Sequence, residues 1–201
     1  MHAILTYLEE TYHPLAVILY GSYADGTNND HSDFDALVIT RNCEQQHDVS
    51  CVSNIQLDVF VYPETFFQQA YNCDDFIQIA DGRIMTDSTG TAQALMDNVA
   101  DYISQLPMKS PEEAREDAVW CRKMLERTHR GDAESFYRWH WVLCDSLEIF
   151  CSLKQHRYTG PKKSLRWMER TYPESYTLYR TALTSFTPAA LKDWIDCLEQ
   201  A

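Results

Sequence analysis

A short segment near the start of the chain carries a Gly-Ser pair and, further along, two aspartates separated by one residue. Gly21 and Ser22 follow an apolar run, and Asp33 and Asp35 stand in the sequence Asp-Phe-Asp. Two carboxylates held this close repel each other unless a cation lies between them, and Mg²⁺ is bound by one or two carboxylates together with substrate phosphates. These residue types and their spacing therefore suit metal-assisted phosphoryl chemistry.

The Gly-Ser pair suits the phosphate side of such chemistry. Residues 15–20 form a short apolar run between Pro14 and Gly21, which predicts a buried strand. Glycine lets the backbone approach a phosphate without a Cβ in the way, and the Ser22 hydroxyl adds a donor. A short helix that opens at Ser22 would direct its first, unpaired backbone N–H groups toward the same phosphate. We therefore predict a phosphate-binding turn at Gly21 and Ser22.

A third acid lies in a second β-prone run. Residues 55–62 read Ile-Gln-Leu-Asp-Val-Phe-Val-Tyr, and Asp58 is the one charge among them. This composition predicts a central strand, in which a lone buried carboxylate would be costly without a metal ion or a proton to handle. The run that starts at Asp33 also predicts a strand, with Asp33 and Asp35 on one face. If the two strands are neighbours, the three aspartates converge on one point.

The Gly-Ser turn, the spacing to Asp-x-Asp and the later strand aspartate resemble the signature of the nucleotidyltransferase superfamily of the DNA polymerase β type. The resemblance implies that Gly21 and Ser22 bind the phosphates of a nucleoside triphosphate. It also implies that the catalytic residues Asp33, Asp35 and Asp58 hold two Mg²⁺ ions, with Asp58 acting as a metal ligand or as the general base. The implied reaction transfers a nucleoside monophosphate, AMP from ATP, to a hydroxyl of a small acceptor and releases pyrophosphate.

A plainer interpretation of the same residues is a solvated turn. Asp30, Asp33 and Asp35 would then face water, and Ser22 would only cap a helix. This interpretation leaves Asp58 inside an apolar strand unexplained. We therefore prefer the metal site.

The chain changes character between Pro107 and Pro111, where strand patterns stop and long helical patterns begin. We predict an α+β protein with two domains. Residues 1–107 would form a small mixed sheet with packed helices, as in polymerase β-like nucleotidyltransferases, and residues 108–201 an all-helical bundle. Ser110, followed three residues later by a glutamate, predicts a capping box at the start of the first bundle helix.

The most basic segment of the chain, residues 155–167, contains Lys162 and Lys163 directly after Gly160 and Pro161. Cations are disfavoured at the start of a helix by its dipole, and a local rule broken in this way is typical of a functional site. The helical tail with its Gly-Pro-Lys-Lys stretch is similar to the second domain of small-molecule nucleotidyltransferases of the kanamycin and lincosamide type. That similarity implies nucleotide binding by Lys162 and Lys163. A solvated loop is the open alternative.

Composition limits the partners of the chain. It has 30 acidic and 17 basic residues, with a formal net charge of −13. Such a surface repels nucleic acid but suits a small cationic molecule. The sequence has neither an apolar run of membrane-spanning length nor the start of a signal peptide, so we expect a cytoplasmic protein without a membrane partner. Its seven cysteines, without a C-x-x-C pair, predict reduced thiols. Related enzymes often complete their sites across a dimer, which makes a homodimer a possible arrangement.

Two features of the helical half leave alternatives open. Asp145 and Glu148 share one face of the helix predicted over residues 132–155, where they would look toward the metal site or simply face water. Arg122 and His129 loosely match a pattern of HEPN-type RNase toxins, which some minimal nucleotidyltransferases neutralise. The alternative function is therefore an antitoxin-like or regulatory nucleotidyltransferase that binds or nucleotidylates a protein partner.

Overall fold

The computed structural model describes residues 1–41 and 43–201. The chain separates into two compact units, Met1–Leu106 and Pro107–Ala201. The first contains all the strands of the described residues and is called the sheet unit below. The second consists of helices and is called the helical unit. The predicted α+β fold class is confirmed.

A mixed sheet forms the centre of the sheet unit. Its strands are β1 (Ala16–Leu19), β2 (Phe34–Thr40), β3 (Gln46–Asp48), β4 (Cys51–Val52), β5 (Ile55–Pro63) and β6 (Arg83–Asp87). They lie in the order β3-β5-β2-β1-β6, with β4 paired to β5 outside this path. β2 and β5 run parallel, and the other pairs are antiparallel. The two runs with aspartates are therefore neighbouring strands, which is the condition that the sequence analysis set for their aspartates to converge.

Helices cover both faces of this sheet. They are α1 (His2–Tyr12), α2 (Gly21–Asp25), α3 (Thr91–Gln105) and two 3-10 helices, Glu64–Gln68 and Cys73–Ile79. One face packs against Ile4 and Leu8 of α1. The opposite face packs against α3 and against Phe76 and Ile79 of the second 3-10 helix. Because successive strand residues point to opposite faces, burial on both sides explains why β1 and β2 are almost continuously apolar.

The segment after β5 contains a short helix and several aromatic residues. It forms the short 3-10 helix Glu64–Gln68, and the chain is extended at Gln69. Because the helix ends at Gln68, the ring of Tyr71 can pack against the ring of Phe76, with centroids 5.7 Å apart. Phe66 and Phe67 join the same aromatic cluster on Tyr62. The short 3-10 helix therefore ends where the chain turns into an aromatic cluster.

Five α-helices build the helical unit, together with a 3-10 turn at Thr128–Arg130. They are α4 (Pro111–Arg127), α5 (Ala133–Leu153), α6 (Pro161–Thr171), α7 (Pro173–Ser185) and α8 (Pro188–Glu199). The predicted capping box is present. The Glu113 N–H donates to Ser110 Oγ at 3.2 Å, and the Ser110 N–H donates to Glu113 Oε2 at 2.8 Å. In the described part of the chain, none of the helices combines the length and apolar character needed to cross a membrane.

Trp194 on α8 lies at the centre of the helical core and is 0% exposed. Its indole N–H donates to Ser146 Oγ at 2.8 Å, and its ring packs against Phe150 and Tyr179 with centroids 5.6 and 4.8 Å away. On the first turns of α5, Phe136 and His140 are exposed. Towards the end of α5, Leu147, Phe150 and Cys151 are buried.

Candidate active site

The parallel pairing of β2 and β5 places two of the predicted site residues next to each other. Asp35 is the register partner of Asp58. Paired residues on neighbouring strands project from the same face of a sheet, so the two carboxylates share a face. Both residues are partly exposed. They lie at the end of the face whose apolar part packs against α3.

The Gly-Ser turn contacts the first of these carboxylates. Gly21 opens α2 with φ +64°, a left-handed conformation that favours glycine. A Cβ at this position would collide with the Asp35 carboxylate and lie 2.7 Å from its Cγ. Glycine is therefore required here both by its backbone conformation and by the close approach of Asp35. Ser22 follows as a half-buried residue of α2, so the predicted phosphate-binding turn adjoins the predicted metal ligand.

Tyr20 precedes this turn and was not selected by the sequence analysis. It is buried, and its backbone N–H donates to the Asp35 carbonyl at 3.1 Å. Burial first, and then the negative charges of Asp58 and Asp35, raise the pKa of the Tyr20 phenol well above its usual range. The phenol therefore stays protonated at neutral pH and lies within electrostatic reach of both carboxylates. The sequence does not indicate this proximity, because a tyrosine at the end of an apolar run is typical of any buried strand.

His47 on β3 is a second residue that the sequence analysis missed. Its Nε2 lies 2.5 Å from Asp58 Oδ1, and its ring stacks on Phe60 with centroids 4.3 Å apart and planes inclined by 4°. The expectation of a lone, buried Asp58 is therefore wrong, because its side chain is 40% exposed and has this partner. The reason lies in the pairing of β5. Its outer edge pairs with β3 at residues 59–61 and with β4 at residues 55–56, so Asp58 faces the gap between them.

Asp33 is the third aspartate of the predicted site. It is exposed and stands immediately before β2. Within residues 1–41 and 43–201, no three His, Cys, Asp or Glu side chains are grouped closely enough to hold a metal ion. The structure therefore brings Asp35 and Asp58 together, and the role of Asp33 as a further ligand stays a prediction.

Two adjacent carboxylates still fit the chemistry of a magnesium site. Mg²⁺ prefers oxygen ligands and usually combines one or two carboxylates with substrate phosphates and water. Asp35 and Asp58 supply such oxygens on one face of the sheet, and the missing Cβ of Gly21 lets the Asp35 carboxylate lie directly against the Gly-Ser turn.

The two lysines predicted to bind nucleotide lie at the start of α6 in the helical unit. Pro161 is the first residue of this helix, Lys162 is exposed, and Lys163 is partly buried. Their position at a helix start agrees with the sequence prediction. Their contact with a nucleotide stays a prediction.

A cavity of about 420 Å³ lies between α4 and α5 of the helical unit. The rings of Trp120 and Trp141 meet there edge to face, with centroids 5.0 Å apart. Burial first, and then the charge of Glu148, raise the pKa of the Asp145 carboxyl. Aromatic faces beside carboxylates attract organic cations. The charged residues that line this cavity are Lys109, Asp117, Asp145 and Glu148.

Arg122, one half of the loose HEPN-like pattern, takes part in an ion-pair network inside the helical unit. Its Nη2 lies 2.6 Å from Glu199 Oε2 and also contacts Asp196 on the same helix, α8. His129 Nδ1 lies 3.1 Å from the Glu126 carbonyl. These contacts give Arg122 a role in joining α4 to α8.

One family comparison matches the part of the chain that carries the Gly-Ser and Asp-x-Asp motifs. Residues 2–78 match the family model described as Polymerase beta, Nucleotidyltransferase. This match covers most of the sheet unit and confirms the predicted resemblance of these residues to the polymerase β-type nucleotidyltransferase superfamily. A nucleotidyltransferase-like protein from Exiguobacterium sibiricum 255-15 is similar in structure, with 15% identity and a TM-score of 0.41 over 99% of this chain and 74% of that chain. No curated protein gives a significant match.

Proposed function

We propose that the protein is a Mg²⁺-dependent nucleotidyltransferase that transfers a nucleoside monophosphate, AMP from ATP, to a hydroxyl of a small acceptor. The observation that carries this proposal is the placement of Asp35, in register with Asp58 and against Gly21, within a domain of the matching family. The acceptor oxygen forms a bond to the α-phosphorus. The bond between the α-phosphorus and the oxygen that it shares with the β-phosphorus breaks, and pyrophosphate leaves.

Different residues of the chain bind the phosphates, hold the divalent ions and accept the proton in this proposed reaction. Gly21 and Ser22 bind the triphosphate through the turn backbone and the serine hydroxyl. Asp33, Asp35 and Asp58 would hold the divalent ions, which neutralise phosphate charge and lower the pKa of the acceptor hydroxyl when bound. Asp58 either completes that ligand set or accepts the hydroxyl proton. Positioning and charge stabilisation account for most of the rate, as in other phosphoryl transfers.

The acceptor in this proposal is a small hydroxylated molecule that carries positive charge. Two observations support it: the formal net charge of −13 and the cavity in which Trp120 and Trp141 adjoin Asp145 and Glu148. An ammonium group there would gain both carboxylate attraction and contact with an aromatic face. Lys162 and Lys163 are assigned to the nucleotide phosphates. A homodimer, in which two copies of the chain complete each site, is part of the same proposal.

The direct test supplies Mg²⁺, each of the four labelled nucleoside triphosphates and a panel of hydroxylated acceptors. The panel pairs each amine-bearing compound with an uncharged compound of similar size. We expect pyrophosphate release with ATP and a mass increase of one nucleotide on an amine-bearing acceptor. A mass increase on a protein would support the regulatory alternative. Absence of pyrophosphate with every combination would contradict the proposed activity.

Substitution Asp35→Asn tests the assignment of the carboxylate pair. We expect turnover to fall at least about 1,000-fold, which is about 4 kcal/mol of transition-state stabilisation at ~1.36 kcal/mol for each factor of ten. Circular dichroism and thermal unfolding should stay close to those of the wild type, because asparagine has nearly the same shape. Asp30→Asn, in the exposed turn before β2, is the matched control and should keep wild-type turnover. Wild-type turnover in Asp35→Asn would refute the assignment.

A further inference from the structure

His47 is held in place from two directions. On β3 it is the register partner of Phe60, and its ring lies parallel to the Phe60 ring at 4.3 Å. Its Nε2 lies 2.5 Å from Asp58 Oδ1. The stacking fixes the plane of the imidazole, and the hydrogen bond fixes its rotation within that plane. The ring therefore has little freedom to leave Asp58 while β3 stays paired with β5.

The next residue of β3 anchors this strand to α1. Asp48 is buried, and its Oδ2 accepts hydrogen bonds from the Tyr7 hydroxyl at 3.0 Å and the Tyr12 hydroxyl at 2.7 Å. Its Oδ1 accepts from the Ser50 N–H at 2.9 Å. These bonds tie the short strand to the helix below the sheet. The backbone that carries His47 is thus held by more than its ladder with β5.

The contact with His47 determines what Asp58 can do. A carboxylate without a fixed partner turns about its last torsion and presents either oxygen. With Oδ1 bound to an imidazole N–H, the carboxylate has one preferred orientation and Oδ2 remains the oxygen available as a ligand or proton acceptor. Hydrogen-bond partners of this kind orient metal-binding side chains in many proteins, and their loss typically lowers metal affinity or activity about 10- to 100-fold.

We propose that His47 is a positioning residue, which holds the Asp58 carboxylate so that its Oδ2 serves the site shared with Asp35. This role rests on the proposed nucleotidyltransferase function, since it concerns the same carboxylate pair. It assigns a duty in that site to a residue outside the Gly-Ser and Asp-x-Asp motifs.

Two substitutions separate the hydrogen bond of His47 from its ring. His47→Phe keeps the ring on Phe60 and removes the donor, whereas His47→Gln removes the ring and places an amide N–H close to the position of Nε2. Gln46→Phe, on the same strand but the opposite face, controls for an added aromatic side chain. The measurements are Mn²⁺ affinity by electron paramagnetic resonance, without nucleotide or acceptor, and kcat and KM with Mg²⁺ and ATP.

We expect Mn²⁺ to bind His47→Phe about 10-fold more weakly than the wild type, and kcat to fall by a similar factor with little change in the KM for ATP. His47→Gln should recover most of both losses. A purely structural role predicts the reverse order, because phenylalanine is the better strand former and keeps the stacking. That reverse order would overturn the proposal, as would tighter Mn²⁺ binding in His47→Phe, which would make His47 a competitor of the metal.

Asp58→Asn provides a coupling test. If His47 acts through Asp58, then His47→Phe should have little further effect on Mn²⁺ affinity once Asp58 is replaced. Equal losses in both backgrounds would overturn the proposal while leaving the nucleotidyltransferase function in place. A wild-type protein that neither binds Mn²⁺ nor releases pyrophosphate would instead remove the proposed function, and the role of His47 with it.

Discussion

The sheet unit and the helical unit place their polar side chains by different means. In the sheet unit, strand register sets the neighbours, so Asp35 and Asp58 are adjacent because their backbones are paired. In the helical unit, the carboxylates around the cavity come from α4 and α5, and side-chain packing between helices sets their spacing. Backbone pairing holds two carboxylates next to each other, whereas helix packing leaves a cavity of about 420 Å³ with several charged residues around it. Under the proposed function, the first arrangement would hold the reacting atoms and the second would bind the acceptor.

The largest expected effect concerns the core of the helical unit. Trp194→Ala removes a side chain that is 0% exposed, and we expect the free energy of unfolding to fall by roughly 3–5 kcal/mol. Urea unfolding followed by tryptophan fluorescence measures this directly. All five tryptophans of the chain lie in the helical unit, so the remaining four report on that unit: Trp120, Trp139, Trp141 and Trp167.

Phe34→Ala is the matched variant in the sheet unit, because Phe34 is also 0% exposed. We expect Phe34→Ala to lower the urea concentration at the unfolding midpoint followed by far-ultraviolet circular dichroism. The midpoint followed by tryptophan fluorescence should stay largely unchanged. An equal drop in both signals would break the comparison, since the two cores would then unfold as one.

A middle-sized effect tests the close approach in the sheet unit. Gly21→Ala must move the Asp35 carboxylate, whereas a Cβ at Gly26 meets no atom of the described residues within 4 Å. Both glycines have positive φ, so each substitution should cost about 1–2 kcal/mol of stability through backbone strain. Only Gly21→Ala should also lower turnover, by about 100-fold, because a displacement of about 1 Å at a reacting group has that effect. Equal kinetics for both variants would argue against a role for this contact.

The smallest expected effect concerns pH. Burial raises the pKa of the Asp48 carboxyl, but hydrogen bonds from Ser50 and from the tyrosines of α1 outweigh it, and the net shift is downward. A lowered pKa in the folded state stabilises the protein above the unfolded pKa of about 3.9, and this contribution is lost as the pH falls through the folded value. Asp48→Asn should therefore lower stability by about 1 kcal/mol at pH 7. The difference between the unfolding midpoints of the two proteins should begin to narrow near pH 4 and should vanish once the pH lies below the folded pKa of Asp48. A constant gap would contradict this assignment.

Much of the fold follows from local signals in the sequence. The apolar runs that became β1, β2 and β5 are β-branched and bounded by turn residues, and the Ser110 capping box marks the start of α4. The Gly-Ser and Asp-x-Asp spacing also predicted the family, because these residues stand on consecutive elements. A superfamily signature made of residues close together along the chain can therefore be recognised from the order of the amino acids.

The parts that the sequence did not predict depend on distant pairing. β3 reads Gln-His-Asp, which has no apolar alternation, and it becomes a strand only through its ladder with β5. The partial exposure of Asp58 depends on the gap between β3 and β4. His47 was missed for the same reason, since its contact with Asp58 spans two strands. Such contacts exist only in the folded sheet, so no local pattern indicates them.

The position of β3 at the edge of the sheet adds a dynamic consequence. A three-residue ladder at an edge is held by few bonds, and such segments open locally more often than central strands do. Each opening would release the imidazole from its carboxylate for a moment. Deuterium exchange at the amides of residues 46–48 would therefore report how often this strand opens and the carboxylate loses its fixed orientation. Stronger hydrogen bonds between Asp48 and the tyrosines of α1 should make these openings rarer.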